Sequence, residues 1–184
     1  MIDRDFPPPA DSRPTLAGDL VRIRPGGPDD VEPLRAILAE PAVACWWGEP
    51  DPAEEIAADL LGDSSSVLLV VEVDGRVAGG IQFHEENTPM YRHAGIDIFL
   101  TSHQHDRGLG TEAVRLLAAF LYEQRGHHRL TIDPAAANHR AIRCYEKVGF
   151  RRVGLMRRYE RGSDGQFQDG LLMDLLREEL APGR

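Results

Sequence analysis

Long apolar runs, a cysteine framework and lysine are what this sequence has little of. No stretch approaches the ~18 consecutive apolar residues that a spanning helix needs, so no such helix is expected. Two cysteines occur, Cys45 and Cys144, in no Cys-x-x-Cys or His-rich arrangement. That pattern speaks against a metal site and against a disulfide framework, and Cys144 reads as a small packing residue. Lys147 is the sole lysine, and 30 acidic against 21 basic residues leave a net charge of −9. Such a surface lacks the basic footprint that nucleic-acid phosphates require and favours cationic ligands. The chain opens Met-Ile-Asp-Arg-Asp-Phe-Pro-Pro-Pro, acidic and proline-rich where a secretory leader is basic and then apolar. A cytoplasmic protein is therefore expected, with neither membrane nor nucleic acid as its partner.

What is present suits one domain: 184 residues with 42% hydrophobic content can bury a real core. Residues 1–18 read as a loose arm, because Pro7, Pro8, Pro9 and Pro14 block helix and sheet pairing. Residues 19–184 read as the domain. A first strand is expected at Leu20 to Arg24, then a helix capped by Asp29 or Asp30 with Val31, Leu34, Ile37 and Leu38 on one face, ended by Pro41. Asp51, Pro52 and Glu54 announce a second helix that buries Ile56, Leu60 and Leu61 and stops at Gly62. Val67 to Val73 and Arg76 to Phe83 flank Asp74-Gly75 as a hairpin. A strand at about Tyr91 to Leu100 follows, and two closing strands are expected near 150–159 and 167–176. No repeat or low-complexity block interrupts this order.

The run His105-Asp106-Arg107-Gly108-Leu109-Gly110-Thr111 joins that apolar strand to a helix with Leu109, Ala113, Leu116, Leu117, Phe120 and Leu121 on its buried face. Glu112, Arg115 and Glu123 are expected to face out, and Gly126 to stop the helix. Glycines spaced by one residue let the chain turn tightly and aim successive N–H groups at an anion, so the loop suits a diphosphate. It lacks the third glycine of a dinucleotide fingerprint and the Gly-Lys-Ser/Thr ending of a P-loop, so NAD and ATP are poor fits.

Leu130-Thr131-Ile132-Asp133 alternates like a half-buried strand, and Asn138 offers an N-cap for a short helix ending at Gly149-Phe150. The stretch Asp133-Pro-Ala-Ala-Ala-Asn138-His-Arg-Ala-Ile-Arg-Cys-Tyr145-Glu-Lys-Val-Gly-Phe150 resembles the C-terminal motif of the GNAT N-acetyltransferases, and most closely that of the aminoglycoside 6'-N-acetyltransferases. The resemblance implies a mixed α/β fold: a mostly antiparallel central sheet of about seven strands flanked by about four helices, with one parallel pair joined through the long helix. It also implies acetyl-CoA as donor and no metal. The donor's pyrophosphate would lie on His105 to Thr111, the family pattern being Gln/Arg-x-x-Gly-x-Gly/Ala. His105 stands where arginine or glutamine is commoner, but the loop works mainly through backbone N–H groups of residues such as Arg107, Gly108, Gly110 and Thr111. Ile98, Phe99, Leu100, Asp106, Leu109 and Asn138 complete the implied donor contacts.

Acetyl transfer from a thioester to an amine needs a group to take the amine's proton and an acid for the leaving thiolate. Alternation puts Ile96, Ile98 and Leu100 on one face of their strand and Asp97 with Phe99 on the other. A mid-strand carboxylate needs a task or a partner; an arginine at the sheet surface would supply the latter. The resemblance gives Asp97 the former, acting through water, with a raised pKa, or by stabilising the ammonium that forms. Tyr145 is either the thiolate's acid by resemblance or a packing ring on the face of Ala141 and Ile142. Asp133 caps a turn or, by resemblance, meets the acceptor's amines. Trp46 and Trp47 sit in a loop, one closing the core and the other walling the acceptor cleft beside Glu49 and Asp51. His127-His128 are expected to cap a helix end.

The function expected is acetyl transfer from acetyl-CoA to a cationic amine, the 6'-amine of an aminoglycoside, by direct attack in a monomer or homodimer. The alternatives are a protein N-terminus, a siderophore or polyamine amine, or an acyl-CoA-sensing module without turnover.

Overall fold

The computed structural model describes residues 13–48, 52–61, 66–162 and 165–183. Eight strands form a single sheet in the order β1-β2-β3-β4-β5-β6-β8-β7. They are β1 (Leu16–Ala17), β2 (Arg22–Pro25), β3 (Ser66–Val73), β4 (Arg76–Glu86), β5 (His93–Leu100), β6 (Arg129–Ile132), β7 (Arg151–Arg161) and β8 (Phe167–Leu176). Helices α1 (Val31–Leu38), α2 (Pro41–Trp47), α3 (Ala53–Leu61), α4 (Leu109–Glu123) and α5 (His139–Val148) cover its faces. The mixed, mostly antiparallel architecture is the one expected, with one strand and one helix more than the sequence suggested. The extra strand is β1, which the proline-rich arm supplies just after Pro14 by pairing Leu16 with Ile23. The extra helix is α2: Pro41 opens it at the first helical position, where the missing N–H costs nothing, besides following the end of α1.

Two apolar layers sandwich the sheet. On one face Leu109, Ala113, Leu117 and Leu121 of α4 and Ile142 and Val148 of α5 bury against Ile81, Phe83, Ile96 and Leu130. On the other, Leu34, Ile37, Ile56 and Leu60 of α1 and α3 pack on Leu68, Val70 and Phe99. The hairpin at Asp74-Gly75 forms with both residues in the left-handed region that such two-residue turns require, φ 51° and 74°. Among the described residues, no helix is long and apolar enough to cross a membrane.

Several side chains work differently from expectation. Leu61 is half exposed rather than buried. Asp30 makes no side-chain cap; Arg24 grips its carboxylate with two hydrogen bonds of 2.8 Å, and it also accepts the Gly27 N–H. Glu112 does not face water: its carboxylate accepts the backbone N–H groups of Asp19, Leu20 and Val21 at 2.7–3.0 Å, tying the turn between β1 and β2 to the first turn of α4. Arg115 likewise donates to the Ala181 carbonyl. Glu49, Asp51 and Gly62 lie outside the described residues, as does the arm up to residue 12.

The sheet opens where the chemistry is expected. Among the described residues β5 and β6 are the only parallel neighbours, and they pair at just Ala94↔Leu130 and Gly95↔Thr131. Beyond those residues each strand stays with its other neighbour, β5 with β4 out to Leu100 and β6 with β8 out to Ile132. The two halves of the sheet part, and a cleft is left between the free edges of Asp97 to Leu100 and of Ile132 to Asp133.

Candidate active site

The cleft is about 500 Å³ and is lined by residues from several elements. β5 contributes Asp97, Ile98, Phe99 and Leu100, the following loop and α4 contribute His105, Asp106 and Gly108 to Thr111, Asp133 follows the end of β6, and α5 brings Tyr145 and its N-cap Asn138. Trp46 and Trp47 close the side facing α2. The tryptophans are helical rather than in a loop, and Trp47 meets the buried Phe99 edge-on at 5.1 Å between ring centroids. Arg107 does not reach the cleft; its guanidinium bonds the Gln104 side-chain oxygen instead.

At one end the backbone makes an anion cradle. Asp106 and Gly108 both have left-handed φ, 58° and 85°, so the loop curls where α4 begins. Gly108 is the N-cap, a conformation that a side chain would strain. The first N–H groups of α4 have no intrahelical acceptor, and the residues that carry them, Leu109 to Thr111, line the cleft. Cys144 Sγ stands where a Cβ on Gly110 would approach to 3.3 Å, so that glycine also lets α5 pack against α4.

His105 has a defined role here despite departing from the family pattern. Its Nε2 bonds the Leu100 carbonyl at 3.0 Å, and Arg140 donates to Nδ1. Burial and the Arg140 charge both hold its pKa below the usual histidine value, so the ring stays neutral and pins loop to strand. Glu40, just before α2, accepts the Thr101 hydroxyl at 2.6 Å and the Ser102 N–H at 2.7 Å, which joins the tryptophan helix to the same loop. Arg140, Arg143 and Lys147 follow one another at helical spacing along the wall of α5. The basic edge this makes beside the anion cradle, sole lysine included, was not recognised from sequence, although the i, i+3, i+7 spacing carried it.

The opposite end is acidic. Among the described residues no arginine pairs with Asp97; the Gln82 amide donates to its Oδ2 at 3.3 Å from the neighbouring strand. Burial, helped by Asp133, raises the Asp97 pKa above the ordinary carboxylate value despite Gln82 and His84. Burial raises the Tyr145 phenol well above its usual value too, with Cys144, Asp97 and Asp133 acting in the same sense. Asn138 caps α5, its Oδ1 accepting the Ala141 N–H at 3.1 Å, and it lines the cleft. Glu160, missed in the sequence, is a further acid in the wall, and burial followed by Asp133 and Asp97 pushes its pKa up. The Tyr159 hydroxyl lies against the Asp133 carboxylate, which with burial takes the phenol up to about 12. One cleft thus has an anion cradle with basic edges at one end and crowded carboxylates at the other. Among the described residues, no cluster of histidine, cysteine and acids could hold a metal ion.

The Acetyltransferase (GNAT) domain model matches residues 21–151. Aminoglycoside N(6')-acetyltransferase type 1 of Klebsiella pneumoniae is 31% identical over 159 residues, 76% of this chain and 78% of that protein. Spermidine N(1)-acetyltransferase of Escherichia coli K12 is 27% identical over 174 residues, covering 89% and 92%. A solved structure of AAC(6')-Ib in complex with ribostamycin and coenzyme A superposes with a TM-score of 0.71 at 28% identity, covering 88% of this chain and 96% of that one. On the domain match and these relatives, the chain belongs to the GNAT acetyltransferase family and is an acyltransferase.

Proposed function

We propose that the chain transfers the acetyl group of acetyl-CoA to a primary amine of a polycationic small molecule, the 6'-amine of an aminoglycoside. The observation that carries this reading is the half-buried carboxylate of Asp97 at the point where β5 and β6 part, in a cleft that is acidic on its acceptor side. The aminoglycoside and spermidine relatives are both named for polyamine acceptors, which agrees with that charge.

Bound acetyl-CoA supplies a thioester carbonyl that the amine attacks with loss of the CoA thiolate. The backbone N–H groups opening α4 hold the diphosphate, and Arg140, Arg143 and Lys147 add positive charge along the same side. The free edge of Ile98 to Leu100 and the Asn138 side chain meet the pantetheine arm. Asp97 binds the ammonium and takes its proton. A carboxylate with an ordinary pKa near ~3.9 is a poor base at neutrality, and burial brings Asp97 closer to the useful range. Tyr145, kept protonated by its raised pKa, donates to the departing sulfur. A covalent acetyl-cysteine has little support: burial raises the Cys144 thiol, and its hydrogen-bond partner is the Thr111 hydroxyl rather than a base.

A polyamine acceptor is the second reading, favoured by the spermidine relative and needing the same acidic cleft. Thiol release from acetyl-CoA with kanamycin-type aminoglycosides, spermidine and N-terminal peptides tests both. Turnover of aminoglycosides at micromolar to low-millimolar KM is expected. Turnover of peptides alone would replace the acceptor, and tight acetyl-CoA binding with no turnover of any amine would replace catalysis by sensing.

A further inference from the structure

β7 is not a regular strand. Its pairing with β8 slips between Met156 and Glu160, Arg158 has a left-handed φ of 51°, and the Arg158 N–H is held by Asp169 Oδ1 at 2.7 Å. Bulges of this kind re-aim the side chains that follow them. Here the next two residues are Tyr159, whose hydroxyl lies against Asp133, and Glu160, which lines the cleft.

The stretch of β8 beneath the bulge is fastened to the loop that follows Asp133. The Ala136 N–H donates to the Asp169 carbonyl at 2.7 Å, the Leu171 N–H to the Pro134 carbonyl at 2.9 Å, and Ala135 bridges to Gly170. The Tyr159 ring lies over Gly170, where a Cβ would stand 2.8 Å from its Cδ1. Bulge, tyrosine and the loop after Asp133 are therefore joined by backbone and ring contacts. A non-glycine residue in the left-handed region is strained, and it persists where its surroundings fix it and often where function uses it.

We propose that Tyr159 and Glu160, presented by the β7 bulge beside Asp133, form a seat for a second ammonium group of the acceptor, distinct from the reacting amine at Asp97. The inference rests on the amine-acetylation reading above and narrows it to acceptors with at least two cationic amines. The Glu160 and Asp133 carboxylates, both in the cleft wall, receive the charge, while the Tyr159 hydroxyl orients Asp133. Asp133 adds to the cost of charging Asp97, and Asp133 and Asp97 add to that of Glu160, so a dication spanning the three carboxylates relieves the repulsion.

Steady-state kinetics of the full chain with acetyl-CoA tests the seat, using kanamycin and spermidine as polycations and n-hexylamine as a monoamine, the last read as KM or as a competitive Ki. Glu160→Gln is expected to raise the polycation KM about tenfold, the loss of a charge-assisted hydrogen bond, and the hexylamine constant by less than about twofold. Tyr159→Phe shifts the polycation KM in the same direction by a smaller factor. Equal effects on polycations and hexylamine, or no effect on either, overturn the seat while leaving acetyl transfer intact. Wild-type turnover of peptides or hexylamine without any turnover of the polycations overturns the seat and the acceptor reading together.

Discussion

Asp97→Asn lowers kcat/KM for the acceptor by roughly 10²–10⁴-fold, the range for loss of a positioned base, while acetyl-CoA still binds. The substitution is nearly isosteric, and an asparagine oxygen can still accept the Gln82 amide that bonds Asp97 at 3.3 Å, so the change falls on charge rather than on folding. The wild-type pH profile carries a second expectation. Asp97 works ionised, and burial sets its pKa above the ordinary carboxylate value. The acid limb of kcat/KM therefore rises with pH through a point above ~3.9 and disappears in the variant. Thiol release read against pH checks both expectations. A variant within about threefold of wild type would remove Asp97 from the chemistry.

The second large effect is on stability, far from the cleft. Glu85 of β4 accepts hydrogen bonds from Arg125 Nη2 and His127 Nε2, both at 2.6 Å, and the His127 side chain is fully buried. His127 thus pairs with a carboxylate rather than capping a helix end, while His128 is exposed. Burial by itself would raise the Glu85 pKa, but His127 and Arg125 outweigh it and hold the carboxyl at about 2. Glu85→Ala takes away the acceptor those two groups share and is expected to cost about 3–5 kcal/mol. For a chain of this length that is a fall in Tm on the order of 10 °C.

The sign with pH follows from the depressed value. Glu85 has a folded pKa of about 2 against 4.5 ordinarily, so its contribution is fully present above pH 4.5 and is lost as pH falls toward 2. The gap in Tm between wild type and variant is expected to be widest near neutrality and to shrink between pH 4.5 and 2.5. Calorimetry at several pH values checks this, and a gap independent of pH would show that the ion pair contributes packing alone.

Local signals were the legible ones. The glycine-spaced loop, the Asn138 cap, the Asp74-Gly75 hairpin and the alternation in Gly95 to Leu100 each specify their own geometry within a few residues, and each is found where expected. Partners distant in sequence were not legible. Glu85 and His127 are 42 residues apart, and Glu112 lies 91 to 93 residues from the N–H groups it holds, so neither pairing leaves a pattern in any short window. Glu160 was hidden for another reason: strict alternation along β7 fails at the bulge, so the face it occupies follows from the slip after Met156 and not from its place in the sequence. Pro41 was read only as the end of one helix, although proline at a first helical position opens the next just as readily.

The measurement that tests the account most directly is the position of the new acetyl group on a kanamycin-type aminoglycoside after turnover with acetyl-CoA, read by two-dimensional NMR of the product. A single amide at the 6'-amine is expected, formed by wild type and at least about a hundredfold more slowly by Asp97→Asn. Acetylation at another amine would contradict the acceptor geometry, and an unmodified aminoglycoside beside rapidly acetylated peptide would contradict the polycation reading itself.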